Sequence, residues 1–263
     1  MPTVTDELER LERAAEANAQ HRVVEVGPEV VRRPAGPMTA TVHAYLRHLR
    51  SQGLTCVPEP IGVEDGVETL RLIDGDSGGD GWAHQHTDAG LTSAARLLRT
   101  IHDAGAGWTP PDDAVWGAPA VAGEDVVPCH GDPGPWNVVW RDQEAVALID
   151  WDFLHPGPRL DDVAYALQWF APWRTDEMAL EWHHFPRVPD RGARSRAFVE
   201  AYGDLPSFDV VDEVAARIRR TADLARSLAE RGQEPQRTWV ADGALESYER
   251  EAVWVEQHRH LLD

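Results

Sequence analysis

Residues 129–137 read Cys-His-Gly-Asp-Pro-Gly-Pro-Trp-Asn, and residues 148–152 read Leu-Ile-Asp-Trp-Asp. The first segment places Asp132 and Asn137 in a turn that is rich in Gly and Pro. The second places Asp150 at the end of a short apolar run that is typical of a strand. Short strands at 126–128, 138–140 and 146–149 are predicted to bracket the turn, so the polar side chains are expected to meet in one cleft.

These oxygen-bearing side chains match what phosphoryl transfer from a nucleotide requires. One carboxylate orients the attacking hydroxyl, and an amide oxygen with a second carboxylate holds Mg²⁺ on the phosphates. Asp132 is the candidate for the first task, and Asn137 and Asp150 are the candidate metal ligands. Asp152 shares a face with Asp150 on an extended chain. It could therefore assist a second metal or the substrate, or simply support the loop.

Composition limits the possible partners. The chain has 263 residues and a net charge of −20, and all 25 basic residues are arginine. An acidic surface disfavours nucleic acid and anionic membranes and can attract a cationic substrate. No apolar run is long enough to cross a bilayer, and residues 1–20 are charged and helix-forming. The two cysteines are too few for a disulfide framework, which agrees with a reducing compartment. We therefore expect a cytoplasmic protein. We also expect either a monomer or a homodimer.

The order of the elements predicts an α+β protein with two lobes. A helix is predicted over 4–20, hairpins over 23–33 and 61–73, and a helix between them from Thr39 to about Gly53. The Gly- and Asp-rich segment 74–81 is the candidate hinge. Most of the remainder is predicted to be helical, including 163–170, 194–201, 210–230 and 245–262. Residues 1–74 are therefore assigned to a nucleotide-binding lobe and 75–263 to a catalytic and acceptor-binding lobe.

The motif His130-x-Asp132-x-x-x-x-Asn137, with Ile149-Asp150, resembles a known family. It is similar to the catalytic loop and metal motif of the aminoglycoside phosphotransferase and choline-kinase-like family. Segments 30–54, 97–102 and 157–164 also resemble that family, and the likeness is strongest over 126–168. The resemblance implies a bilobal protein-kinase-like fold. It has a small N-terminal β-sheet lobe with one helix and a larger, mostly helical C-terminal lobe.

The resemblance also implies the role of each motif residue. Asp132 is the catalytic carboxylate, and Asn137 and Asp150 bind Mg²⁺ and, through it, ATP or GTP. His130 is a structural hydrogen-bonding residue rather than an acid or a base. Asp162 ties the catalytic loop to the following helix.

The nucleotide side of the site departs from the family pattern. Kinases of this kind use a lysine on a strand of the first lobe, held by a glutamate on the next helix. This chain has no lysine, so Arg32 or Arg33 must hold the phosphates, and strand alternation lets only one face the cleft. No acidic residue occurs between Glu29 and Glu59, and His43 lies at the approximate place of the helix glutamate.

The primary hypothesis is a kinase that phosphorylates a hydroxyl of a small, cationic acceptor, such as an aminoglycoside or another antibiotic. A housekeeping kinase for a small amine or amino-alcohol is the first alternative. A nucleotide-binding pseudokinase is the second, because the Lys–Glu pair is missing. A metal-dependent hydrolase using the Asp cluster is the third. The eleven tryptophans are expected mainly in the core, although some in the helical part could line an acceptor pocket.

Overall fold

A single antiparallel sheet forms the N-terminal part of the protein. The computed structural model describes residues 4–21 and 24–263, and the side chains of 5–16 and 24–263. The four strands are β1 (Glu25–Val26), β2 (Val30–Pro34), β3 (Pro60–Glu64) and β4 (Val67–Arg71), in the order β1-β2-β4-β3. Both predicted hairpins are present, and pairing of β2 with β4 joins them. The predicted start of the first strand at Val23 lies outside the described residues.

Helix α2 (Thr39–Ser51) attaches this sheet to the rest of the molecule. Val42, Tyr45, Leu46 and Leu49 recur at helical spacing and are almost completely buried. They pack in the same hydrophobic cluster as residues of helix α3 (Asp88–Gly105), such as Ile101. Burial of the apolar face against α3 therefore fixes α2 and the residues that it carries.

Two short two-stranded sheets surround the predicted catalytic loop. Strand β5 (Val126–Cys129) pairs with β8 (His155–Pro158), and β6 (Val138–Arg141) pairs with β7 (Glu144–Leu148). Strand β8 was not predicted, because it contains two prolines, which cannot donate to a ladder. The Gly- and Asp-rich segment 74–81 is tied to β6, since Asp76 and Trp140 exchange backbone hydrogen bonds of 3.0 and 2.8 Å. The loop is thus held between strands on both sides.

The remaining helices are α1 (Val4–His21), α4 (Arg159–Phe170), α5 (Asp176–Glu181), α6 (Arg191–Tyr202), α7 (Val210–Glu230), α8 (Gln236–Ala241) and α9 (Ala244–Gln257). The predicted helix over 210–230 is confirmed at both ends.

Helix α1 contacts the C-terminal helices, because Arg13 pairs with Asp242 and Arg10 donates to Ser247. The division of the chain at residue 74 stays a prediction. No helix in the described ranges is long and apolar enough to span a membrane.

Candidate active site

Asp162, in the first turn of α4, holds the start of the loop 130–137. Its Oδ2 accepts from the backbone N–H of His130 at 2.6 Å, and its Oδ1 accepts from that of Gly131 at 2.8 Å. His102 on α3 lies 3.1 Å from Oδ2. Burial acts to raise the pKa of Asp162, but the hydrogen bond from His102 and the electrostatic effect of the surrounding histidines together outweigh burial and lower that pKa. Gly131 has a φ of +86°, which a larger residue would adopt only with strain.

Replacing Asp162 with Asn should destabilise the protein by about 2–4 kcal/mol. The amide keeps only one acceptor atom, so one buried backbone N–H of the loop would face an NH₂ group. Urea denaturation measures the free energy of unfolding. Asp103→Asn is the control, because the Asp103 side chain is 49% exposed and its ion pairs lie at the surface. Equal losses in the two variants would contradict the role of Asp162.

His130 links the loop to the residue before Asp150. Its Nε2 lies 2.9 Å from the carbonyl oxygen of Ile149, and its Nδ1 accepts from the backbone N–H of Asp132 at 3.2 Å. These bonds require the neutral ring with the proton on Nε2. Burial lowers the pKa of His130, which favours that neutral form. His130 therefore makes structural hydrogen bonds, as the sequence resemblance implied.

The Asp132 carboxylate is held by three side-chain donors. The Tyr165 hydroxyl donates to Oδ1, while the Asn137 amide and the Trp136 indole donate to Oδ2 at 2.9 and 3.3 Å. Burial, followed by the charge of Asp132, raises the pKa of Tyr165 well above its usual range, so its hydroxyl stays protonated. Tyr165 lies one helical turn after Asp162. Helix α4 therefore both anchors the loop and orients its carboxylate.

The residue before Asp150, Ile149, is hydrogen-bonded to both ends of the loop 130–137. The Ile149 N–H donates to the Asn137 carbonyl oxygen at 2.8 Å, and the Ile149 carbonyl accepts from His130. Asp150 itself has a φ of +67°, an uncommon left-handed conformation that Asp tolerates better than most residues. Asn137 thus contacts Asp132, and the backbone that precedes Asp150 is joined to the loop that carries both residues.

Arg33, rather than Arg32, reaches this site. Its Nη1 lies 2.9 Å from Asp150 Oδ1, and its Nη2 lies 2.6 Å from Asp152 Oδ1. Arg32 points to the opposite face of β2 and is exposed. Burial would lower the pKa of Arg33, but the carboxylates of Asp152, Asp150 and Glu68 outweigh it and raise that pKa.

Glu68 is a site residue that the sequence analysis missed. It is the register partner of Arg33 across β2 and β4, and its Oε1 accepts from Arg33 Nε. Its Oε2 lies 2.9 Å from His43 Nε2, and the residue is only 1% exposed. The carboxylate partner of Arg33 within the sheet is therefore a strand glutamate, which also contacts a helix histidine. An acidic residue at position 68 of a predicted strand was the only available signal, and nothing in the sequence paired it with Arg33.

The donor set fits a magnesium ion. Asn137 turns its amide nitrogen to Asp132, where it also donates to the backbone carbonyl at 2.9 Å, so the amide oxygen is the end able to coordinate. Asp150 and Asp152 add carboxylate oxygens. These are the hard ligands that Mg²⁺ prefers, with nucleotide phosphates completing the shell.

Four half-buried indoles form a continuous surface beside Asp132, and we refer to Trp82, Trp136, Trp169 and Trp182 as the tryptophan cluster. Ring centroids of Trp82 lie 5.2, 5.9 and 6.2 Å from those of Trp136, Trp169 and Trp182. Trp136 and Trp169 are 4.7 Å apart. Such separations are typical of attractive aromatic pairs.

A buried ion pair and a neutral histidine support this cluster. The Arg174 guanidinium lies 4.1 Å from the centre of the Trp169 ring and pairs with Glu251 at 2.9 Å. His183 is completely buried against Trp82, and burial lowers its pKa well below the usual value. The cluster is thus an aromatic surface on a base with little net charge. By contrast, Trp140, Trp151 and Trp173 are core residues.

The sheet, the loop anchored by α4 and the acidic pair after β7 together define a protein-kinase-like phosphotransferase fold. The chain belongs to the phosphotransferase enzyme family that includes the aminoglycoside kinases: the family model matches residues 7–119 and 112–198. The family and the α+β protein-kinase-like fold predicted from the sequence are therefore confirmed.

Individual proteins agree with this assignment. The trifolitoxin immunity protein of Rhizobium leguminosarum bv. trifolii is 29% identical over 247 residues, which cover 89% of this chain and 91% of that protein. A spectinomycin phosphotransferase solved with ADP and spectinomycin has a TM-score of 0.59 at 12% identity, over 92% of this chain and 90% of its own. An aminoglycoside 2′-phosphotransferase solved with GDP has a TM-score of 0.56 at 14% identity, over 93% and 98%.

Proposed function

We propose that this protein is a Mg²⁺-dependent kinase that transfers the γ-phosphate of ATP or GTP to a hydroxyl of a small-molecule antibiotic. One observation carries the proposal: Asp132, oriented by three donors, lies in a loop whose two ends are hydrogen-bonded to Ile149, the residue before Asp150. The carboxylate proposed for the hydroxyl and the carboxylate proposed for the metal are thus carried by segments that are hydrogen-bonded to each other. Family membership and the ADP and GDP complexes of the structural neighbours support the nucleotide.

In this mechanism Asp132 accepts a hydrogen bond from the acceptor hydroxyl and thereby directs the hydroxyl oxygen at the γ-phosphorus. As the new P–O bond forms and the bond to the β-phosphate oxygen breaks, Asp132 takes the hydroxyl proton. Asn137 and Asp150, with Asp152 beside them, would hold Mg²⁺, which when bound neutralises charge on the phosphates. Arg33 is placed to bind phosphate oxygens, since a guanidinium can clamp two of them. Most of the rate acceleration comes from this positioning.

The acceptor is proposed to lie on the tryptophan cluster, because Trp136 belongs to the cluster and its indole donates to Asp132. Indole faces bind flat apolar rings and can also bind cations.

We expect Trp82→Leu to raise the KM for the acceptor about tenfold, with the KM for the nucleotide unchanged. Steady-state kinetics in both substrates measure this. Trp239→Leu is the control, since Trp239 is half-buried on α8 and donates to α1. An equal effect in both variants would place the acceptor elsewhere.

Antibiotic modification is preferred over the housekeeping role because the trifolitoxin immunity protein is similar over nearly the whole chain. The test is a phosphate-transfer assay with ATP and with GTP over aminoglycosides, peptide antibiotics, macrolides, choline and homoserine. Phosphorylation of an antibiotic supports the proposal, whereas a preference for choline or homoserine supports the housekeeping kinase. Nucleotide binding without transfer to any acceptor would indicate a pseudokinase. Release of phosphate from a substrate with no acceptor present would indicate a hydrolase.

A further inference from the structure

One guanidinium is shared by three carboxylates from different parts of the fold. The Nε side of Arg33 is bound to Glu68 of β4, and the Nη side is bound to Asp150 and Asp152 after β7. The side chains of Arg33, Glu68 and Asp150 are 13%, 2% and 14% exposed. Asp150 is proposed to hold Mg²⁺ together with Asn137, and Asp152 lies beside it. Arg33 therefore supplies positive charge beside the residues proposed to hold the metal.

The two sides of the guanidinium are held differently. Glu68 faces Arg33 in strand register, and its second oxygen is engaged by His43, which is 3% exposed on α2. This side belongs to one sheet and its packed helix. The bonds to Asp150 and Asp152 instead connect the sheet to the segment after β7. The Nη side of Arg33 therefore contacts residues outside the sheet, whereas Nε is bound within it.

We propose that Arg33 acts in two positions, with Glu68 and His43 as the positioning residues that retain it. Without nucleotide, Arg33 neutralises Asp150 and Asp152 and disfavours binding of a divalent cation alone. When the nucleotide arrives with its metal, the Nη atoms move from the aspartates to phosphate oxygens, and the aspartates bind the metal. This inference rests on the proposed function, because it assumes that the aspartates bind the metal of a nucleotide.

The charge balance explains why metal and nucleotide would bind together. A lone divalent cation must displace a guanidinium from two carboxylates and leave it in a largely buried site with Glu68 alone, which is costly. Phosphate oxygens offer that guanidinium a new pair of acceptors. Nucleotide and metal therefore favour each other's binding, which is a reciprocal coupling between two ligands. The ammonium group of a lysine lacks the planar guanidinium with donors on two sides. A lysine therefore could not hold Glu68 on one side and phosphates on the other.

The test measures binding rather than turnover. Isothermal titration follows Mn²⁺ alone, as a substitute for Mg²⁺, and separately ADP with Mg²⁺. We expect Arg33→Gln to bind Mn²⁺ alone about tenfold more tightly than the wild type and ADP with Mg²⁺ at least about tenfold more weakly. Glu68→Gln should weaken ADP with Mg²⁺ about tenfold without strengthening Mn²⁺ binding, because Arg33 remains on the aspartates. His43→Gln should weaken nucleotide binding in the same direction and by less.

Arg71→Gln is the matched control, because Arg71 lies on β4 of the same sheet with a side chain that is 48% exposed. Unchanged or weaker Mn²⁺ binding by Arg33→Gln would overturn the proposal, and so would unchanged nucleotide binding by Glu68→Gln. If Glu68→Gln unfolds, as judged by circular dichroism, the Arg33→Gln titrations decide alone. Failure of the wild type to bind ADP with Mg²⁺ would instead refute the proposed function itself.

Discussion

Asp132→Asn should lower kcat by about 10³-fold and leave the KM for the nucleotide within about twofold. The amide cannot take the hydroxyl proton. It also has only one acceptor atom to offer the three donors that now hold the carboxylate, namely Tyr165, Asn137 and Trp136. The side chain would therefore rotate, and the acceptor hydroxyl would lose its alignment with the γ-phosphorus. Steady-state kinetics with an acceptor that the wild type phosphorylates measure the effect.

The control for this variant is Asp113→Asn, which changes an exposed loop residue by the same atoms. Asp113→Asn should keep the thermal midpoint of unfolding of the wild type. Asp132→Asn should lower that midpoint without unfolding the protein at the assay temperature, because one acceptor atom cannot serve all three donors. Full turnover in Asp132→Asn would remove the mechanism. Loss of turnover together with loss of folding would call for Asp132→Ser, whose hydroxyl also cannot serve as the proton acceptor.

Asp150→Asn should lower kcat/KM for the nucleotide by about 10²-fold and raise the Mg²⁺ concentration that gives half-maximal activity. The carboxylate supplies the negative charge that attracts a divalent cation, and a neutral amide does not. The substitution also removes one of the negative charges that pair with Arg33. Titration of Mg²⁺ at fixed nucleotide, followed by initial rates, separates an effect on the metal from an effect on the acceptor.

Asp152→Asn is the informative comparison, because Asp152 also binds Arg33 but was not assigned as a primary metal ligand. We expect its effect on the Mg²⁺ requirement to be smaller than that of Asp150→Asn. A normal Mg²⁺ requirement in Asp150→Asn, with a raised one in Asp152→Asn, would transfer the role of metal ligand to Asp152. A normal requirement in both would contradict a metal site after β7.

The sequence alone determined the features that depend on local spacing. The apolar periodicity of 210–230 gives α7, and the motif from His130 to Asn137 gives a loop whose side chains meet because few residues separate them. The pair at Asp150 and Asp152 follows a predicted strand for the same reason. Asp162, the expected tie, does accept from the loop backbone. Family and fold class follow from these local patterns.

Only the tertiary structure decided which side chains meet across the chain. Pairing of β2 with β4 selects Arg33 over Arg32 and brings in Glu68, 35 residues later. Packing of α4, α5 and residues 78–83 gathers four tryptophans that are distant in sequence beside Asp132. The physical reason is that local propensity sets helices and turns, whereas strand register and helix packing depend on the burial of apolar surface by the whole chain.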